Sequence, residues 1–151
     1  MTKVIETRGL EELQQRFKMY PVRWAQTMST TMAAVLLTLQ EKTPGYPPPP
    51  SSSNYRRTGT LGRTLGVSEG GGRIGQPTIF KIRKYGGGNF EGRYGTNLNY
   101  APYVIGSRGT QSSFFGAYWW QLDSVIGIAY QKIKSLFNTA AQELAAFLDK
   151  Q

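Results

Sequence analysis

The run Gly70-Gly71-Gly72-Arg73-Ile74-Gly75 has the G-x-G-x-x-G spacing of a dinucleotide-binding turn. In such a turn, backbone amides and the start of a following helix hold a pyrophosphate. The next residues remove that chemistry. Gln76-Pro77-Thr78-Ile79-Phe80 puts a proline and strand formers where the helix must begin, so the run reads as a flexible turn. No G-x-x-x-x-G-K-[ST] phosphate loop occurs. Of the nine acids, Glu11 and Glu12 are adjacent on a helix and point in different directions, while Glu69 and Glu91 fall on separate loops or turns. No carboxylate pair is placed for acid–base or metal work. The chain has no histidine and no cysteine. Ser-His-Asp triads, thiolate nucleophiles, Cys/His zinc sites, imidazole switches and disulfide scaffolds are therefore excluded. The sequence reads as a non-enzyme with no cofactor and no metal.

Two clusters have binding chemistry instead. Tyr55-Arg56-Arg57-Thr58-Gly59-Thr60-Leu61 combines bases with an aromatic ring, a pairing suited to phosphates, to base stacking and to protein interfaces. Tyr100-Ala101-Pro102-Tyr103-Val104 is followed by Phe114-Phe115-Gly116-Ala117-Tyr118-Trp119-Trp120, more aromatic surface than one short loop normally buries. It either caps the core or forms a subunit interface. The charge is unevenly placed. Residues 42–122 hold ten bases against two acids, a net of +8, out of +9 for the whole chain. Such a segment suits nucleic acid or an acidic neighbour, and it also suits simple solubility.

The elements that must position these residues can be read from periodicity. At 151 residues the chain is one domain. No apolar run approaches the roughly 20 residues of a membrane span, and the N-terminus lacks a signal-peptide core. A soluble protein made inside the cell is expected. Leu10, Leu13, Phe17 and Tyr20 mark a short helix, preceded by a candidate edge strand at Val4 and Ile5. Pro21 suits the first position of a second helix running to Lys42, where Thr43-Pro44-Gly45 stops it. Four consecutive prolines and three serines then make an extended arm over 44–57. Leu61, Leu65 and Val67 read as a strand. Phe80 and Ile82 alternate with Lys81 and Arg83, and Gly86-Gly87-Gly88 turns the chain back through Phe90, Gly92 and Tyr94. From Leu122 to Leu148 apolar residues hold helical spacing over about seven turns, roughly 40 Å. Gly127 within it suggests close packing against another element.

The expected fold is therefore α+β. A small antiparallel sheet of about three strands packs against N-terminal helices and a long C-terminal helix. One domain spans 1–151, with a Pro/Ser-rich arm at 44–57. Lys81, Arg83, Lys84 and Arg93 are expected on the outer basic face of the hairpin. Ile133 and Leu136 are expected in a core shared by both helices and the sheet.

Four segments in order resemble the siphophage neck, head–tail joining and tail-completion proteins of the minor tail component type. They are Thr43-Pro44, Arg57-Thr58-Gly59-Thr60-Leu61, Tyr100-Ala101-Pro102-Tyr103-Val104 and Trp119-Trp120. The agreement in order and spacing covers nearly the whole chain. The proline run is longer than the Pro-Val-Asp-Thr-Gly form common in that family, and Ile105-Gly106 replaces the usual acid and phenylalanine. The resemblance implies a structural virion protein of the head–tail junction, made in the bacterial host cytoplasm. It implies a cyclic homo-oligomer of six subunits, or alternatively twelve, between the head connector and the tail terminator or tube. Double-stranded DNA would pass through without sequence readout. Tyr55, Arg56, Arg57, Leu61, Tyr100, Pro102, Tyr103, Trp119 and Trp120 would then serve subunit contacts, with Lys81, Arg83, Lys84 and Arg93 facing the DNA channel or an acidic partner. The alternative from the residues alone is a free, sequence-nonspecific nucleic-acid-binding protein.

Overall fold

The computed structural model describes residues 10–54, 57–107 and 109–149. The candidate strand at Val4 and Ile5 lies outside these residues, as do Tyr55 and Arg56. The described chain is α+β: a two-stranded antiparallel sheet, a long N-terminal helix and a long C-terminal helix, with short helices between them.

Helix α1 runs from Leu10 to Lys42 without interruption, so the expected break at Pro21 is corrected. Proline removes one backbone hydrogen bond and costs a helix interior about 3 kcal/mol. The rings of Tyr20 and Trp24 pair across it, one turn apart, with centroids 6.4 Å apart.

A second correction concerns residues 60–67. Leu61 and Leu65 share a side at strand spacing and at helix spacing alike. Here they are the buried side of α2, Thr60–Leu65. Gly59 and Gly66 bound that helix in the left-handed region, at φ 69° and 68°, where glycine is favoured. Val67 bridges to Arg73 in an isolated antiparallel pair, and the chain turns between them over 68–72, which includes the first three glycines of the run.

The sheet is one hairpin rather than three strands. Strand β1, Ile79–Lys84, pairs with β2, Phe90–Gly95, in the register Phe80 to Tyr94, Lys81 to Arg93 and Lys84 to Phe90. Opposed residues share a face. Lys81, Arg83 and Arg93 therefore stand on the outer face, whereas Lys84 belongs to the face of Phe80, Ile82 and Phe90. Placing Lys84 with the outer bases is corrected by this register, although it remains exposed at the strand end.

Helix α1 is the centre of the assembly. The hairpin lies on it at Gly92, where an added Cβ would sit 2.7 Å from Met32 Cε and 3.1 Å from Leu36 Cδ2. Trp24 Nε1 donates to Gly88 O at 2.9 Å and ties down the hairpin tip. Helix α5, Leu122–Asp149, packs chiefly on α1 and not on the sheet face, another departure from expectation. Val125, Ala129, Ala140 and Leu144 are its buried residues, while Ile133 and Leu136 are only half-buried. Their partner surface on α1 includes Thr27, Thr31 and Ala34, small enough for close approach. The hydroxyls of Thr31 and Thr38 donate to the carbonyls four residues back, each at 2.8 Å, so their burial leaves no donor unmade. Gly127, expected at a close contact, has open space around it, whereas Gly92 lies in close contact with α1.

Two short helices, α3 (Ala101–Ile105) and α4 (Ser113–Gly116), complete the fold. They roof a core of Leu61, Leu65, Val67, Ala101, Val104, Ile105 and Trp119. Gln40, fully buried, pins α1 to this region. Its Nε2 donates to Gly66 O at 2.9 Å and Gly75 O at 2.7 Å, with a longer contact to Leu65 O at 3.4 Å.

Candidate functional site

Three of the segments that carry the resemblance, Arg57–Leu61, Tyr100–Val104 and Trp119-Trp120, meet at one junction, and the chain after Thr43-Pro44 joins it at Gly45 and Tyr46. Its floor is the core face of Leu61, Val104 and Trp119. The start of the arm is fastened over it. Pro44 bridges to Gly71, and the Tyr46 amide donates to Glu69 O at 2.7 Å. The Tyr46 ring stacks on Trp119 with centroids 5.3 Å apart, and its hydroxyl accepts from the Gly62 amide. Trp120 Nε1 donates to Gly45 O at 3.0 Å. Burial pushes the Tyr46 phenol above its ordinary range, partly offset by the Gly62 hydrogen bond. Tyr94 is raised for the same first reason, partly offset by its hydrogen bond with Thr43.

Arg57 sits against both rings of this junction. Its guanidinium carbon is 5.7 Å from the Tyr46 centroid and 5.2 Å from that of Trp119. This is cation–π range. Its Nε is enclosed with no hydrogen-bond partner. Among the described residues, no carboxylate pairs with it. Tyr100, Phe115, Thr58 and Thr60 complete a small cavity around it.

The remaining expected interface residues divide by exposure. Leu61 and Trp119 are buried inside the protomer, and Trp120 is half-buried. Tyr100 and Tyr103 are exposed, at 43% and 60%, and Pro102 is exposed beside them. Phe114, 56% exposed, extends the same knuckle through edge contacts with Phe115 and Tyr118. Sequence reasoning missed Tyr46. Its signal was available, since it is the one aromatic in the proline run, but the run dominated the reading.

The basic hairpin is a separate surface. Lys81, Arg83 and Arg93 share its exposed outer face with one acid, Glu91. Glu91 Oε1 accepts from Arg93 Nε at 2.6 Å, and Glu91 Oε2 accepts from the Tyr85 hydroxyl at 2.5 Å. The Tyr85 hydrogen bond first, then that from Arg93, holds the Glu91 carboxyl below its ordinary range. Arg93 is raised in turn by Glu91. One of the three outer bases is thus already neutralised.

Sequence reasoning also missed an apolar groove of about 860 Å³ between α1, β2, α3 and the start of α5. Leu36, Leu39, Leu98, Ile105, Leu122 and Ile126 supply most of its apolar wall. Among the described residues there is no cluster of three metal-ligating side chains, and no helix is long and apolar enough to cross a membrane. No family model, no curated protein and no solved structure matches the chain.

Proposed function

We propose that this chain is a structural virion protein of a tailed-bacteriophage neck, a subunit of the ring that joins the head connector to the tail and surrounds the DNA passage. The observation that carries the reading is the convergence of the motif segments. Arg57–Leu61, Tyr100–Val104 and Trp119-Trp120 converge on one junction, and Gly45 and Tyr46, next after Thr43-Pro44, close it through the Tyr46–Trp119 stack and the Trp120–Gly45 hydrogen bond. An order of short motifs could arise by chance in a sequence of this length. A shared junction gives each of them a reason to be there. The exposed knuckle of Tyr100, Tyr103 and Phe114 supplies subunit-contact surface of the aromatic kind that dominates interface energetics. Six subunits is the favoured ring and twelve the alternative, with the connector and the tail terminator or tube as neighbours. In this reading the bases Lys81 and Arg83 attract DNA phosphates without reading sequence.

A second reading, a free nonspecific nucleic-acid-binding protein, is favoured by one observation: Lys81, Arg83 and Arg93 stand together on an exposed face. The mass of the purified protein, with negative-stain images alone and with isolated tails, separates the two. Rings, in solution or on tail ends, support the first. A monomer that ignores tails and binds oligonucleotides tightly with steep salt dependence supports the second.

A further inference from the structure

The groove and the Arg57 junction carry opposite charges, and they lie on different sides of the same short helix. Successive residues of an α-helix turn by about 100°. Ala101, Pro102 and Ile105 of α3 therefore share the side that lines the groove, while Tyr100 and Val104 share the side that lines the Arg57 cavity. The exposed Tyr103 projects between these two sides.

The groove has two charged residues in its wall, Arg93 and Asp123. Arg93 is matched by Glu91 at 2.6 Å. Asp123 is exposed and has no ion-pair partner among the described residues. The groove thus offers apolar walls and one uncompensated negative charge. An acidic partner or a DNA phosphate is repelled there; an aromatic surface bearing one unmatched cation is attracted. The Arg57 junction has that composition. Its guanidinium is held against Tyr46 and Trp119 without a carboxylate, and Phe114 and Tyr103 stand exposed nearby. Its Nε is enclosed without a partner, and a guanidinium is the group best suited to meet a carboxylate.

We infer that the groove receives a second copy of this chain, with Tyr103 and Phe114 of one subunit seated in the groove of the next and Arg57 of the first paired with Asp123 of the second. The inference deepens the ring reading above and rests on it. The two patches flank one five-residue helix, and it is the ring reading above, rather than their separation, that makes the contact head-to-tail. A chain of net charge +9 repels copies of itself, so association needs such local complementarity.

The test uses charge reversal on the full chain, with oligomeric state read by sedimentation in solution and by negative stain on isolated tails. Arg57→Glu and Asp123→Lys should each weaken self-association by about tenfold or more, and the double variant should recover most of the loss. Since Arg57→Glu also removes a stacked cation from the junction, a second measurement leaves that residue intact. The chain has no cysteine, so Tyr103→Cys and Ile126→Cys create the only thiols. The double variant should give a ladder of cross-linked oligomers with a short bismaleimide, and Tyr103→Cys alone should give none. Wild-type rings indifferent to both reversals and lacking the 103–126 cross-link overturn this contact while leaving the ring reading standing. Cross-linked dimers with no ladder beyond them, or a 103–103 cross-link, overturn it in favour of a two-fold dimer. A wild-type chain that is monomeric in solution and on tails, or one that instead binds duplex DNA through Arg57, overturns both.

Discussion

Trp120 Nε1 lies 3.0 Å from the carbonyl oxygen of Gly45, joining residues 75 apart in sequence. This bond, with the Tyr46–Trp119 stack beside it, turns the beginning of the proline-rich arm into part of the domain. The arm proper begins after Tyr46. Trp120→Phe keeps a ring and removes the donor, leaving the Gly45 carbonyl without it. Stability should fall by about 0.5–1.5 kcal/mol, the net worth of one hydrogen bond, in a thermal or denaturant melt. Limited proteolysis within 47–53 should accelerate in the same variant.

Gln40 gives a sharper test of the core. Its Nε2 serves the carbonyls of Gly66 and Gly75, and Leu65 at longer range. Gln40→Leu keeps the bulk and abandons these acceptors, at about 1–3 kcal/mol for a buried group left unsatisfied. Gln40→Glu should be worse at neutral pH, because it aims a carboxylate at carbonyl oxygens. Equal melts for Gln40→Glu and wild type would refute this role.

Close packing of the hairpin on α1 is tested at Gly92. Gly92→Ala sets a methyl against Met32 Cε and Leu36 Cδ2, the ends of flexible side chains that can shift aside, so the cost should stay at about 1 kcal/mol or below. Met32→Ala in the same chain should relieve part of that cost, so the two effects measured in a double-mutant cycle should not add.

Much of this architecture is legible in the sequence, and the misses have physical causes. The hairpin and the C-terminal helix show because their burial periods, two and about 3.6, are unambiguous. Leu61 and Leu65 do not discriminate, since a separation of four keeps both on one side in a strand and in a helix. Pro21 is a strong local breaker, overridden here within one continuous helix. The groove was invisible because its wall comes from four elements whose packing order no local pattern encodes. Lys84 was misplaced because exposure at a strand end carries no face information.

The pH behaviour follows from the groups that shift. Glu91 is depressed by Tyr85 and Arg93, so it stabilises the hairpin above the ordinary carboxylate pKa of about 4.3. That contribution disappears as pH falls through the lower folded value. An NMR titration should place Glu91 below the ordinary range, and Tyr85→Phe should move it upward. At the alkaline end, Tyr46 and Tyr94 are raised by burial. Unfolding frees them to ionise at about 10, so stability should decline as pH climbs past that value. Phenolate absorbance should show a late phase that Tyr46→Phe and Tyr94→Phe reduce.

The arm deletion must respect the junction. Removing residues 48–52 spares Tyr46 and its stack, whereas a deletion starting at Tyr46 would also damage the core. The shorter deletion should leave the melt nearly unchanged and reduce incorporation into particles. Normal incorporation would make this segment a plain linker.

The central claim is that this chain joins heads to tails, and the direct measurement is in vitro complementation. Particles are produced without the chain, and electron micrographs are scored before and after adding the purified protein. The account predicts filled heads and separate tails at first, then joined, infectious particles once the protein is supplied. Joined and infectious particles formed without the chain would contradict it.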